Sequence, residues 1–203
     1  MNSLTRVGLC LVVLCGSVLC GSVSAATVFT FDSDPNGQST AFTDTVGGLS
    51  VTFSSPNDPG GFSIGPSFFS TLTGQILADP GPANVNSIPL RLSFSSLLTD
   101  VSLLFATNSN GPVPITLMAY LGGTGGTLVG TSTVSGTIPN GFTFPEGSIS
   151  FSGSVFDTIV LSSGAQDFAI DNVSATVVPE PGQLGMVALG LAALGWYRRR
   201  TRR

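Results

Sequence analysis

The 203-residue chain contains no histidine and no lysine; all seven of its basic residues are arginines. Without histidine there is no Ser-His-Asp triad, no Cys-His pair and no His-ligated zinc site. Without lysine there is no pyridoxal Schiff base and no P-loop lysine. Cysteine is confined to Cys10, Cys15 and Cys20, and charged residues make up only 9% of the chain. What is present suits a folded domain. Hydrophobic residues reach 42%, enough for a core. The 26 glycines and 13 prolines form about a fifth of the chain, below the roughly 25–30% that signals low-complexity disorder. The length predicts one domain with short appendages.

Residues 1–25 read as a secretory signal peptide. Arg6 supplies the positive start, Val7 to Leu19 form an uncharged apolar stretch, and Val23-Ser24-Ala25 places compact residues before a cleavage point. Such a segment is handled by the Sec translocon and removed by signal peptidase. Cleavage after Ala25 leaves Ala26 as the new N-terminus, and cleavage after Ala26 is the neighbouring alternative. An uncleaved membrane anchor is the other reading, but the apolar stretch is short for a span. Each cysteine follows a leucine (Leu9, Leu14, Leu19), whereas a lipidation site wants a small residue there, so lipidation is not expected. The mature chain then has no cysteine and is held by its core alone.

The opposite end carries the strongest signal. Val178-Pro179-Glu180-Pro181 is followed by an apolar run from Leu184 to Tyr197 and then by Arg198, Arg199, Arg200, Thr201, Arg202 and Arg203. Extended to Gly182, a helix here would reach about 24 Å against a hydrocarbon core of about 30 Å. Snorkelling arginines and local thinning accommodate that shortfall. Trp196 and Tyr197 stand where an interfacial anchor belongs, and the arginines predict a cytoplasmic terminus with the rest of the chain outside. A single transmembrane helix at about residues 183–197 is therefore expected.

This three-part end resembles the PEP-CTERM sorting signal of exopolysaccharide-producing Gram-negative bacteria, covering about the last 26 residues. The resemblance implies that exosortase, an integral-membrane cysteine protease, recognises Pro179, Glu180 and Pro181 and cuts near them. Two prolines hold the segment extended, as a protease substrate requires.

Residues 26–178 carry ten acidic side chains against the single Arg91, a net charge of −9. That balance argues against nucleic acid and anionic membrane as partners. The apolar period is two: Leu49, Val51 and Phe53; Leu90, Leu92 and Phe94; Ile115, Leu117, Ala119 and Leu121; Ile149 and Phe151; Phe29 and Phe31. Turn signals punctuate these runs at Asp34-Pro35-Asn36-Gly37, Asp58-Pro59-Gly60-Gly61, Asp79-Pro80-Gly81, Asn110-Gly111-Pro112 and Asn140-Gly141. No convincing amphipathic helix and no fixed repeat interrupt them. The expectation is an all-β fold of some ten short strands, an antiparallel β-sandwich of jelly-roll type.

In Phe168 to Val177 the apolar parity switches from even to odd positions, which predicts a β-bulge near Asp171-Asn172. This segment resembles the closing strand of extracellular jelly-roll domains, including carbohydrate-binding modules. That resemblance implies a structural calcium ion held by Asp171 with Asp32 and Asp34, whose hard oxygens suit calcium. An Asp-Asn pair that satisfies bulge amides explains the same residues, and both readings stay open.

A glycosidase needs only two carboxylates, but Glu146 sits in the turn-like Pro145-Glu146-Gly147 and the aspartates mostly cap turns. No pair stands out, so an enzyme is not expected. Sugar sites need exposed aromatics; between the two end segments there is no tryptophan and only Tyr120. Phe62, Phe68 and Phe69 are the candidates to reach a surface, but a core or loop-anchoring role is the one expected of them. The sequence thus predicts an exported, non-enzymatic protein. Its precursor is anchored in the inner membrane with a periplasmic domain, then processed to the cell envelope or extracellular matrix. There it is structural or adhesive in exopolysaccharide or biofilm. A calcium-stabilised carbohydrate-binding module is the second reading and a carboxylate-based glycan hydrolase the third.

Overall fold

The structure, a computed structural model, describes residues 25–56, 58, 60–79, 88–109, 111–165, 167–179 and 190–191. Among the described residues ten strands follow one another: β1 (Thr27–Phe29), β2 (Phe42–Val46), β3 (Leu49–Ser54), β4 (Ser63–Pro66), β5 (Gln75–Ala78), β6 (Leu90–Thr107), β7 (Pro114–Leu121), β8 (Thr127–Ser135), β9 (Glu146–Ser163) and β10 (Phe168–Val177). Every pairing is antiparallel. The all-β expectation holds, and the alternating segments fall on strands. Phe31 is the exception: it lies past the end of β1, in a turn, yet is fully buried.

Two strands are far longer than the sequence suggests. β6 and β9 each run 18 residues and pair along most of their length. Both bend midway. In β6 the register against β9 shifts between Ser93 and Leu98 and again before Asp100, and Ser95, Ser96 and Leu97 are exposed. In β9 the bend passes through Gly153, whose φ of +105° only glycine adopts readily. The bends divide one continuous hydrogen-bonded path into two layers. The first half of β6 and the second half of β9 join β2, β3, β7 and β8. The other halves join β10, β5 and β4, with β1 beside the end of β10.

The inward side chains of both layers form one core, from Leu90, Leu92 and Phe53 on one side to Leu103, Phe105 and Ile170 on the other. Phe31 meets Phe53 edge-on at 5.3 Å across the layers. Each fully buried phenylalanine contributes about 1.5–3 kcal/mol relative to exposure, and no cysteine lies beyond residue 20 to supplement that core.

The expected bulge is present. The β10 register against β6 breaks between Asp171 and Ser174, and Asn172 has a φ of 51°. An extra residue lets Phe168 and Ile170, then Val173 and Ala175, all face the core. Thr27 pairs with Ala175, and the Val178 N–H bonds the Leu97 carbonyl at the β6 bend. The two ends of the domain therefore leave it side by side.

Candidate functional site

On the outer face of the second layer, cross-strand partners line up in one row. Ser63 (β4), Ala78 (β5), Ala169 (β10), Ala106 (β6) and Glu146 (β9) are successive register neighbours. Four small residues leave a shallow floor. The fifth position carries a carboxylate, buried to 4% exposure. Instead of the turn its flanking residues suggest, Glu146 opens β9. Its Oε1 accepts the Ser70 N–H at 2.8 Å, and its Oε2 accepts the Thr71 N–H and hydroxyl, each at 2.6 Å.

Those donors belong to the loop 67–74, which folds over this face and seats Leu72 against Ile76, Ala106 and Ala169. The loop is tied internally by the Ser67 N–H to the Gly74 carbonyl and by the Ser67 hydroxyl to the Leu72 carbonyl. Two further carboxylates hold its far end. Asp171 Oδ2 accepts the Thr73 N–H at 3.3 Å, and Asp32 Oδ1 accepts the Gln75 N–H at 2.8 Å. Any Cβ at Gly74, where φ is +72°, would collide with the Asp32 carboxylate.

Asp32 and Asp171 do approach one another, but their oxygens receive backbone amides. Asp34 Oδ2 is buried without a partner among the described residues, and Asp44 is a charged neighbour. Among the described residues no cluster of three acidic side chains is placed to hold a metal ion.

The carboxylates titrate in opposite directions. Burial pushes Asp171 above the usual carboxylate range against hydrogen bonds from Asn172 and Thr73, and the Asp32 charge adds to the rise. Asp34 is raised too, by burial first and Asp44 second. Partial burial also opposes ionisation of Asp157, but the N–H groups of Gly123 and Gly122 and the Thr158 hydroxyl outweigh it and hold Asp157 low. A raised folded-state pKa means that stability falls as pH rises from the unfolded value, about 3.9, through the raised one. A lowered pKa contributes stability above about 3.9 that is lost as pH falls through the depressed value. Asp171→Asn is therefore expected to flatten the decline of Tm as pH rises from about 4. Asp157→Asn is expected to lower Tm near neutrality and to converge on the parent in acid. Thermal melts across that range check both; parallel curves for the two variants would contradict the assignment.

Beside the loop, the alanine floor opens into a cleft of about 330 Å³. Its wall is aromatic. Phe68 is 67% exposed and lies against Phe69 with centroids 4.4 Å apart; Phe144 meets both edge-on at 6.0 Å. Asp79, Asn108 and Asp167 also line it. The Asn108 amide donates to Asp167 Oδ2 at 2.8 Å. Of the three phenylalanines expected in core or loop-anchoring roles, Phe68 instead reaches the surface and Phe69 does in part. Phe62 is fully buried, edge-on to Phe168 at 5.1 Å. Phe144 was not anticipated, because Gly141-Phe142-Thr143-Phe144 carries no sign of which ring faces the sheet.

Ala25 and Ala26, flanking the expected signal cleavage, are exposed beside the domain's exit, and Ala25 shares a hollow with Val177. Pro179 is the last described residue of the domain. Glu180, Pro181 and the arginines 198, 199, 200, 202 and 203 lie outside the described residues, as does the signal segment through residue 24. The expected span lies outside them too, except Gly190 and Leu191, which are helical. Among the described residues no helix is long and apolar enough to cross a membrane.

Residues 177–203 match the family model of the PEP-CTERM protein-sorting motif. No significant match was found among curated proteins. Of solved structures, a cleaved adhesin domain of Lys-gingipain is similar at 15% identity and a TM-score of 0.53, covering 76% of this chain and 99% of that one. A second adhesin domain of Lys-gingipain, from Porphyromonas gingivalis, gives 10% identity and a TM-score of 0.42 over 70% and 98% of the two chains. A family 6 carbohydrate-binding module gives 18%, 0.36, 76% and 95% in the same order. Among these three, the first supports a shared fold, the β-sandwich. At such identity it speaks to fold alone. The chain carries a PEP-CTERM sorting motif, which implies export, exosortase processing and sorting to the cell surface.

Proposed function

We propose that residues 26–178 form a non-enzymatic, structural or adhesive β-sandwich, delivered by its C-terminal signal to the cell envelope or the extracellular polysaccharide matrix of a Gram-negative bacterium. The observation that carries this reading is the sorting motif at residues 177–203. The geometry supports it: both ends of the domain exit together, so an anchored precursor presents the whole sandwich on one side of the bilayer. Exosortase is the processing partner, with signal peptidase and the Sec translocon acting at the other end.

A non-catalytic role is supported by how the carboxylates are used. Both oxygens of Glu146, and those of Asp171, receive hydrogen bonds that hold the loop and the bulge. Replacing Pro179, Glu180 and Pro181 together by alanine is expected to trap a full-length, membrane-bound precursor. Fractionation and immunoblotting read the result, and normal release of a shortened product would overturn the proposal.

A further inference from the structure

We propose that the cleft walled by Phe68, Phe69 and Phe144 binds a short stretch of a neutral, hydroxyl-rich glycan; this deepens the adhesive reading above and rests on it. The ring geometry comes first. Phe68 and Phe69 lie 4.4 Å apart with planes inclined by 32°, so no gap separates them that could cage a cation. They form a platform instead, and the exposed ring of Phe68 offers an apolar face for a flat ligand. Beside it, the partly exposed Ala78 lines the cleft, with Ala169 and Ala106 buried deeper in its lining. A volume of about 330 Å³ falls at the low end for ligand sites, which suits a few sugar units rather than a long groove.

The polar groups select the chemistry. The cleft is lined by Asp79, by Asn108 and by Asp167, whose Oδ2 accepts the Asn108 amide, with no cationic side chain among the described lining residues. Ionised carboxylates accept hydrogen bonds and repel negative charge, so this lining suits a neutral ligand rich in donors over an anion. An anionic polymer is repelled by those groups and by a domain with a net charge of −9. A neutral glycan supplies hydroxyl donors at its edge and C–H surface on its face. Binding is set by this side-chain arrangement and requires no metal.

Glu146 is a positioning residue for the site. By clamping Ser70 and Thr71 it fixes the loop that bears both Phe68 and Phe69.

The test uses the extracellular protein purified from its host. Native affinity gels contain xylan, mixed-linkage β-glucan, dextran or the neutral fraction of the host's exopolysaccharide, with alginate as the anionic comparison. At least one neutral polymer is expected to retard the protein, equally with and without chelator. Phe68→Ala and Phe144→Ala should each weaken binding about tenfold or more. Phe68→Trp should retain it, and Leu128→Ala, an exposed change on β8, should leave it unchanged.

Retardation by none of the neutral polymers would overturn the proposal, as would wild-type binding by both phenylalanine variants. Retardation by alginate alone, or competition by choline, would also overturn it. Loss of retardation in chelator would overturn the metal-free site. Release of reducing ends would support the glycan site while overturning the non-enzymatic reading. Cleft variants should still be processed at the C-terminus, so failure of this site and failure of the sorting proposal are read separately.

Discussion

Glu146→Ala is expected to destabilise the domain by about 3 kcal/mol, lowering Tm by roughly 6–12 °C. The reason is the asymmetry of buried hydrogen bonding. The substitution removes one carboxylate but orphans three donors: the N–H groups of Ser70 and Thr71 and the Thr71 hydroxyl. Bonds to a charged acceptor are worth about 1.5–3 kcal/mol each, and a buried donor without a partner costs about 1–3 kcal/mol. Partial opening of the loop to water keeps the total well below the sum. Glu146→Gln retains one acceptor oxygen and is expected to cost about half as much. Thr71→Val deletes only the hydroxyl contact and should cost about 1 kcal/mol. Thermal or urea unfolding of the three variants checks the order. An unchanged Tm for Glu146→Ala would mean that Leu72 packing and the Asp32 and Asp171 contacts hold the loop without it.

Truncation after Val178 should change the protein's destination almost completely. The deleted segment holds the proline-flanked recognition site, the apolar run and the arginine block. Removing all three leaves a domain whose last described hydrogen bond, from Val178 to Leu97, is intact, so the sandwich is expected to fold. It is then expected to accumulate as a soluble periplasmic product, absent from the membrane and the cell surface. This differs from the triple substitution of Pro179, Glu180 and Pro181, which keeps the anchor and traps the precursor in the membrane. Immunoblots of periplasmic, membrane and extracellular fractions distinguish the two. Unaltered surface delivery of the truncated chain would contradict a sorting role for this segment.

Strand identity was legible because alternation is a local property. Leu49, Val51 and Phe53, or Ile115, Leu117 and Ala119, point to one face whatever their partners. The bulge at Asp171-Asn172 was legible for the same reason, since a parity switch within one strand requires an extra residue. Strand length was not legible. Alternation stops at Ser95-Ser96-Leu97 and around Gly153, yet each is a bend at which one strand passes from layer to layer. Alternation lapses there because neither layer buries those side chains.

The candidate site was legible only in part, and the limit is physical. A carboxylate that accepts amide N–H groups and one that binds calcium have the same side chain, so Asp32 and Asp171 could not be assigned from the sequence. Their partners, Gln75 and Thr73 respectively, lie 43 and 98 positions away along the chain. Glu146 was read as a turn residue because its proline and glycine neighbours dominate local propensity. Its pairing with Ala106 and its grip on Ser70 are both long-range. Phe68 was identified through its glycine- and serine-rich surroundings, whereas Phe144 joins the wall through a loop with no such signal.

The most direct measurement is the intact mass of the protein recovered outside its native host. The account predicts a chain that begins at Ala26, or one residue later, and ends near residue 180, without the apolar run or the arginines. A species that still carries Arg203 and is found only in the membrane fraction would contradict it.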